Sequence, residues 1–213
     1  MTTYMPPQPH QQTLEEWAGS QHLGLTLVFT DIVRSTAVGV RLGDNTWIED
    51  LFDHFSQARE LTKRYKCYVV KVIGDSLMVA FRTSSEAVRF AVDFSIDTGI
   101  SYIGIRAGIN SGEVQIREND IYGLNVNLTS RIQSAVKAEG ILVSESVKSD
   151  YDRTMGTSSG ITFQPEEFHL KDFGNTWLWR AQSESLGEAW RAQQKARFAL
   201  LMRNWRPVPR MPR

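Results

Sequence analysis

The sequence has very few of the cysteine and histidine residues that stabilise small folds through disulfides and zinc sites. It contains one cysteine and four histidines among 213 residues. Because a single cysteine cannot form an intrachain disulfide, we interpret Cys67 as a small buried residue rather than a nucleophile. The scattered histidines and the lone thiol also argue against a structural zinc site. A hydrophobic core must therefore hold the fold, and a hydrophobic fraction of 41% is sufficient for one domain of this length.

The sequence also lacks any long apolar run. No segment approaches the roughly 18 to 20 consecutive apolar residues that a membrane-spanning helix requires. The first 24 residues lack the basic, apolar and small-residue sectors of a secretory signal peptide. We therefore predict no membrane span and a cytoplasmic location, in agreement with the low cysteine content.

The whole chain has no net charge, but its parts do. Lys and Arg total 24, as do Asp and Glu, yet residues 187–213 hold seven basic side chains and one acidic. We predict a basic amphipathic helix there, and our preferred interpretation is that it packs on the acidic body of the chain. The alternatives are a membrane-surface helix, a nucleic-acid contact and a dimer strap. One basic tail is weak evidence for nucleic acid, so no nucleic-acid partner is expected.

Composition and periodicity divide the chain into three parts. Residues 1–22 begin with a stretch rich in Pro, Gln and Thr and continue with a capping box from Thr13 to Glu16. This pattern predicts a disordered leader followed by a short helix. Residues 23–182 have the periodicity of one folded domain, and residues 183–213 are predicted to form the basic C-terminal helix and tail.

The order of apolar patterns in the central part indicates the fold class. Residues 23–29 and 76–81 are short apolar runs typical of buried strands, whereas apolar residues recur at three or four in 47–65 and 87–94, as in helices. The predicted order is strand, helix, strand, strand, helix, strand, helix and three further strands. Such mixing favours an α/β (α+β) fold of ferredoxin-like type, with helices packed on a mostly antiparallel sheet.

Two acidic residues stand at predicted strand ends. Asp31 follows the first apolar strand, and Asp75 lies at the tip of a predicted hairpin after Gly74. Taken alone, each aspartate is more typical of a turn or a helix cap than of a metal site. Together at one edge of a sheet, two carboxylates make a hard-oxygen site suited to Mg²⁺ or Mn²⁺ holding a triphosphate.

A second candidate site opens the helix predicted for residues 123–137. Asn127 and Arg131 are four residues apart and therefore share one helical face. An amide beside a guanidinium can hold a ribose oxygen and a phosphoryl group, the charge pattern that phosphoryl transfer needs. A solvated arginine on an exposed face is the simpler interpretation of Arg131 taken alone.

These segments together resemble a known family. The patterns are Phe-x-Asp-Ile-x-x-Ser-Thr at 29–36, Lys-x-x-Gly-Asp at 71–75, and Asp-x-x-Gly-x-x-Val-Asn-x-x-Ser-Arg at 120–131. In this order and spacing they resemble the class III nucleotidyl cyclases, the adenylyl and guanylyl cyclase catalytic domain. The resemblance runs from about Leu25 to Arg180 and includes Leu170-Lys171-Asp172-Phe173, which is similar to the family's closing Leu-Lys-Gly.

The resemblance implies a metal site with two ions, Mg²⁺ or Mn²⁺, bound by Asp31, Asp75 and the main-chain carbonyl of Ile32. One ion lowers the pKa of the ribose 3'-hydroxyl, and the other neutralises the triphosphate. The 3'-oxygen then attacks the α-phosphorus and pyrophosphate leaves.

The resemblance also implies roles for four further residues. Asn127 is expected to orient the ribose and Arg131 to stabilise the charge on the α-phosphoryl group. Lys171 resembles the family's phosphate-binding lysine, although Asp172 replaces the usual glycine beside it. Arg34, where relatives often carry a small or acidic residue, is expected to add a phosphate contact.

An assembly follows from the resemblance as well. In this family the metal carboxylates of one chain face the base-binding and Arg-bearing segments of another, and this chain holds both sets. We therefore expect a head-to-tail homodimer with two composite sites that acts on a nucleoside triphosphate. Its cyclic product would act on a downstream effector protein.

The identity of the base is the open question. Lys71 and Asp120 match the pair that reads adenine in adenylyl cyclases, where guanylyl cyclases tend to have Glu and Cys. A fixed donor beside a fixed acceptor suits adenine and also cytosine. We favour ATP, but a catalytic domain without room for a sensor also resembles the stand-alone bacterial pyrimidine cyclases, which make cyclic UMP or cyclic CMP in anti-phage defence. A third hypothesis is a binding module that holds a nucleotide without turnover.

Overall fold

The computed structural model describes residues 12–203. Most of the predicted disordered leader lies outside the described residues, as do Trp205 and the end of the predicted tail. Among residues 12–203 the chain forms seven α-helices, one short 3₁₀ turn and eight strands.

The strands form one mixed sheet. In chain order they are β1 (His22–Ile32), β2 (Tyr68–Ile73), β3 (Ser76–Phe81), β4 (Ile105–Arg117), β5 (Asp120–Tyr122), β6 (Gly140–Ser144), β7 (Thr162–Leu170) and β8 (Gly174–Gln182). Their order across the sheet is β2-β3-β1-β4-β6-β8-β7, with β5 paired to β4. Only β4 and β6 run parallel among the described pairs. The first four strands have the ferredoxin-like order, and the predicted fold class is confirmed.

Seven helices flank the sheet within residues 12–203. They are α1 (Leu14–Ala18), α2 (Ser35–Leu42), α3 (Asp44–Tyr65), α4 (Ser84–Ile96), α5 (Leu124–Ala135), α6 (Glu145–Met155) and α7 (Glu184–Met202). The predicted capping box before α1 is present: Thr13 Oγ1 accepts from Glu16 N–H, and the Glu16 carboxylate accepts from Thr13 N–H at 2.7 Å. Local capping chemistry therefore places the start of this helix.

The sequence analysis missed α2, α6 and β5. Helix α2 contains Val38, Gly39 and Val40, which are poor helix formers, and α6 is polar, burying only Val147 and Tyr151 in its eleven residues. Helix α2 packs on α3 and α7, and α6 packs on α4 and on strands β4, β6 and β8. This tertiary contribution overrides weak local preference.

Alternation along β1 divides the core between the two faces of the sheet. Val28 and Ile32 pack in the cluster beneath α3 and α4. Leu25 and Leu27 belong to a second cluster on the opposite face, together with Met78 of β3. Because successive strand residues point to opposite faces, one continuous apolar run supplies both cores.

Helix α5 lies against β4 in unusually close contact. A Cβ added at Gly108 would lie 2.2 Å from the main-chain nitrogen of Gln133 and 2.6 Å from its Cα. Only glycine permits this approach of helix to strand. The absence of a side chain at Gly108 therefore sets the distance of α5 from the sheet. That distance in turn fixes the positions of Asn127 and Arg131.

Helix α7 packs on α4 and α2. Leu186 is fully buried, and Trp190 lies partly buried against the main core. Phe198, by contrast, is 65% exposed, so only some of the aromatic residues of α7 pack on the body of the chain. Among residues 12–203 no helix has both the length and the apolar character to cross a membrane.

Candidate active site

The two predicted metal carboxylates lie at one end of the sheet. Asp31 is near the end of β1, and Asp75 occupies the turn between β2 and β3. Antiparallel pairing of β1 with β3 sets Thr30 opposite Leu77, and Ser76 Oγ donates to Asp31 Oδ1 at 2.9 Å. The register of the strands thus joins two aspartates that are far apart in sequence.

Asp75 is an under-satisfied carboxylate. Its Oδ2 is buried without a hydrogen-bond partner. Burial raises the pKa of the Asp75 carboxyl above its ordinary value; the charge of Asp31 acts in the same direction, and a hydrogen bond from Ser35 opposes both. A hard cation bound here would offset both the desolvation of this oxygen and the repulsion between the two carboxylates.

Arg106 is a member of the site that the sequence analysis missed. In the register of β1 and β4 it stands directly opposite Asp31, and its Nε donates to Asp31 Oδ2 at 2.6 Å. The guanidinium neutralises the carboxylate in the resting chain. The sequence contains no local signal for this pair, because the two residues are 75 positions apart.

The donor set fits a magnesium-type ion but would not saturate it. Among residues 12–203 no cluster of three or more His, Cys, Asp or Glu side chains is arranged to hold a metal. Asp31, Asp75 and the main-chain oxygen of Ile32 supply only hard oxygen donors. Mg²⁺ is commonly held by one or two carboxylates, with water and substrate phosphates completing its shell.

The loop after Ile32 leads directly into α2. Arg34 is exposed at the N-cap position of that helix, and its backbone is left-handed, with φ of 59°. Val33 N–H donates to the main-chain oxygen of Gly104 at 2.9 Å. This bond anchors the middle of the loop to the segment that enters β4.

Lys71 and Asp120 form an ion pair across β2 and β5. The Lys71 ammonium contacts both oxygens of Asp120, at 2.6 and 2.8 Å. Asp120 Oδ1 also accepts from the main-chain N–H of Ile121 at 2.8 Å, which fixes the carboxylate. The side chains are 35% and 26% exposed, so a ligand can reach the pair from solvent.

The start of α5 is held by an amide cluster that the sequence analysis did not identify. Asn125 Nδ2 donates to the main-chain oxygen of Glu113 at 2.8 Å, and Asn110 Nδ2 donates to Asn125 Oδ1 at 3.1 Å. Thr129 Oγ1 donates to the main-chain oxygen of Asn125 at 2.6 Å. With this turn anchored to β4, Asn127 is presented to solvent one turn before Arg131.

Arg131 reaches across to the turn between β7 and β8. Its Nη2 donates to Asp172 at 3.0 Å, and its Nε is buried without a partner. Asp172 adopts a left-handed backbone with φ of 69°, a conformation that the usual glycine would take without strain. Exposed Lys171 is its neighbour in the chain, so two cations and one carboxylate meet at this turn.

The predicted site residues therefore fall into three groups within one chain. Asp31, Ile32 and Asp75 form the first, with Arg34 in the loop beside them; Lys71 and Asp120 form the second, and the α5 residues with Lys171 the third. Among the hydrogen bonds and ion pairs of residues 12–203, none joins Asp31 or Asp75 to Arg131 or Asn127. Within the described part of one chain, therefore, no such bond connects the metal residues to the α5 residues.

The sequence and fold were compared with known proteins. A family model described as "Adenylate and Guanylate cyclase catalytic domain" matches residues 20–176. The chain belongs to this family. The resemblance to the class III cyclases is thereby confirmed, and so is the assignment as a cyclase enzyme.

Similar proteins include both adenylyl and guanylyl cyclases. Receptor-type adenylate cyclase B of Leishmania donovani is 42% identical over 69 residues, which are 32% of this chain and 5% of that protein. This chain thus corresponds to a small part of the length of such relatives.

Solved cyclase structures match more of the chain. The catalytic core of a rhodopsin-guanylyl cyclase with converted specificity, in complex with ATPαS, is 26% identical with a TM-score of 0.66 and covers 75% of this chain and 96% of that one. The guanylate cyclase domain of RhGC from Catenaria anguillulae, in complex with GTP, is 25% identical with a TM-score of 0.63 at the same coverage. The cyclase fold is shared, and helix α7 lies beyond the family match.

Proposed function

We propose that this cyclase domain converts a nucleoside triphosphate, with ATP favoured, into a 3',5'-cyclic nucleotide and pyrophosphate. The observation that carries the proposal is the pair Asp31 and Asp75 at one sheet end, where Asp75 keeps a buried oxygen without a partner. Family membership supplies the reaction class, and this pair supplies the hard-oxygen site that the reaction requires.

The reaction forms one bond and breaks one. The ribose 3'-oxygen bonds to the α-phosphorus, the bond from that phosphorus to the bridging oxygen breaks, and pyrophosphate leaves with the electron pair; the 3'-hydroxyl proton passes to solvent. Bound divalent ions, Mg²⁺ or Mn²⁺ and two per site by resemblance, would make the 3'-hydroxyl more acidic and neutralise the triphosphate. Asp31, Asp75 and the carbonyl of Ile32 would hold them.

The remaining residues act on ribose and phosphates. Asn127 would orient the ribose, and Arg131, whose side chain is 36% exposed, would bind an α-phosphoryl oxygen. Lys171 and Arg34, both exposed cations, would contact the outer phosphates. Arg106 would release Asp31 and bind phosphate oxygens instead, because a carboxylate that binds a cation no longer needs the guanidinium to neutralise its charge.

The proposed enzyme is a head-to-tail homodimer. The supporting observation is that, among residues 12–203, no hydrogen bond or ion pair joins Asp31 or Asp75 to Asn127 or Arg131, although one reaction needs both sets. Mixing Asp31→Ala chains with Arg131→Ala chains should restore activity, since each heterodimer regains one intact site. About a quarter of the wild-type activity is expected from random pairing of equal amounts. No recovery in the mixture would contradict the composite site.

Lys71 and Asp120 would read the base. The ion pair is partly exposed to solvent, which weakens the attraction between the two side chains, so a base edge can compete for both groups. A fixed donor and acceptor suit adenine and cytosine, and a pyrimidine cyclase that makes cyclic UMP or cyclic CMP remains the second candidate.

Product identification tests both candidates. The purified chain, with Mn²⁺ and each of the four nucleoside triphosphates in turn, should release pyrophosphate most rapidly from ATP, and mass analysis should find cyclic AMP. Cyclic UMP or cyclic CMP as the main product would select the pyrimidine candidate. A protein that binds nucleotide but releases no pyrophosphate from any of the four would be a binding module instead.

A further inference from the structure

Helix α7 has no role in the proposed reaction, yet it buries polar side chains. Gln193 and Arg197 are each 5% exposed, and Gln193 Nε2 donates to the main-chain oxygen of Ser95 at 2.8 Å. Buried polar groups cost free energy unless directional bonds offset their loss of water. The bonds of Arg197 therefore indicate what this helix holds in place.

Arg197 forms a buried ion pair with Glu139. The two side chains are 6% and 2% exposed, and the second Glu139 oxygen accepts from Gln194 Nε2 at 2.9 Å. Arg197 Nη1 also donates to the main-chain oxygen of Tyr102 at 3.2 Å. One guanidinium thus ties α7 to the segment before β6 and to the segment before β4.

These two segments touch the metal loop, residues 32–34. The Glu139 side chain packs directly on Gly104, where an added Cβ would lie 2.5 Å from Glu139 Cγ. Gly104 in turn accepts the N–H of Val33 at 2.9 Å. Three consecutive contacts therefore lead from Arg197 through Glu139 and Gly104 to the loop that carries the carbonyl of Ile32.

Helix α7 also contacts α2, the helix that follows the metal loop. Arg41 of α2 donates from Nε to the main-chain oxygen of Leu200 at 3.1 Å, and α2 begins directly after Arg34. A cavity of about 430 Å³ separates the loop from α7, with Arg34 on one side and Phe198 on the other. Ile32 is packed in the main core, but the side of the loop that faces this cavity has few packing contacts, so these bonds hold that side in place.

We propose that Arg197 is a positioning residue that holds the metal loop in place for divalent-cation binding, acting through Glu139 and Gly104. The proposal rests on the metal site of the proposed function. It assigns the basic C-terminal helix a task inside its own chain, since the guanidinium that closes the ion pair is one of the basic residues of the tail.

The test removes the ion pair without leaving a buried charge. Arg197→Ala alone would strand Glu139 without a partner and destabilise the fold. Arg197→Met/Glu139→Met keeps the side-chain volume and removes both charges, a replacement that proteins tolerate well. The matched control, Glu188→Met/Arg191→Met, removes one anion and one cation from exposed positions on the same helix.

The measurement is Mn²⁺ binding to the full chain without nucleotide, followed by electron paramagnetic resonance of free Mn²⁺. Asp31→Ala identifies the site, and wild-type binding that Asp31→Ala leaves intact would overturn the metal site and this proposal together. With the site established, the buried double variant should bind Mn²⁺ about five-fold more weakly or worse, while the control double variant matches wild type.

Unchanged Mn²⁺ affinity in a folded buried double variant would overturn the positioning role and leave the proposed function standing. If the buried double variant does not fold, Mn²⁺ binding to Arg197→Lys tests the proposal instead. Lysine keeps the charge but not the forked donor geometry, so affinity should fall by about two-fold or more. Wild-type affinity in Arg197→Lys would also overturn the proposal.

Discussion

Gly108→Ala probes how α5 is placed over the sheet. The added Cβ would lie 2.2 Å from the nitrogen of Gln133, whereas ordinary contacts of this kind begin at 3.4 Å. The obstacle is helix backbone rather than a flexible side chain, so α5 must move by about 1.2 Å to accept the methyl group. That movement carries Asn127 and Arg131 with it.

A displacement of about 1 Å in groups that orient substrate can reduce the rate about 100-fold. Overpacking of this kind costs about 1 to 3 kcal/mol of folding stability, which a domain of this size can bear. We therefore expect Gly108→Ala to stay folded, to lose about 100-fold in kcat, and to keep its affinity for Mn²⁺, because Asp31 and Asp75 lie outside α5.

The assay is pyrophosphate release under saturating Mn²⁺ and ATP, alongside thermal unfolding followed by circular dichroism. Gly24→Ala is the matched control, because its Cβ would meet nothing within 4 Å, and its kcat should equal that of wild type. Wild-type kcat in Gly108→Ala would refute the argument that contact with β4 sets the reach of α5.

Three further predictions concern the base pair, a buried histidine and the cysteine. Lys71→Glu/Asp120→Cys, which installs the pattern typical of guanylyl cyclases, should change the ratio of ATP to GTP turnover about 100-fold towards GTP; an unchanged ratio would remove these residues from base reading. Burial lowers the pKa of His54 from 6.5 to about 4, so the unfolded chain takes up a proton that the folded chain refuses as pH falls from 6.5 to 4. The free energy of unfolding should fall by about 3 kcal/mol over that range, and urea titrations of His54→Gln should lack this part of the drop. Burial raises the pKa of the Cys67 thiol, so iodoacetamide at pH 8 should label native protein at least about ten-fold more slowly than urea-unfolded protein; equal rates would show an accessible thiolate.

Strands and long helices were predictable because their signals are local. The apolar run of β1 and the three-to-four spacing of α3 lie within single segments, and the capping box before α1 involves only Thr13 and Glu16. Helices α2 and α6 were missed because their stability comes from packing on distant elements, which no window of sequence contains.

The candidate site divides in the same way. Asp31, Asp75, Asn127 and Arg131 could be selected from motifs, since each motif places a chemically suitable side chain at a strand end or on a helical face. The side chains that pair with these residues could not be selected in this way. Arg106 joins Asp31 only through the pairing of β1 with β4, which depends on strand register.

Asp172 illustrates the difference between noticing a residue and knowing its contact. Its departure from the usual glycine was evident in the sequence, and there it only made the placement of Lys171 less certain. In the folded chain it adopts a left-handed backbone and pairs with Arg131. Turn geometry between β7 and β8 decides this contact.

By itself, the sequence determined the cyclase family, the fold class and the kinds of side chain available for metal, base and phosphate. Only the tertiary structure decided which charges meet: Arg106 with Asp31, Asp172 with Arg131, and Arg197 with Glu139 inside the protein. Composition showed a basic tail and an acidic body that cancel to zero net charge. Coulombic attraction weakens as the distance between two charges grows and as water surrounds them, so the pairing of those charges depends on positions that only folding creates.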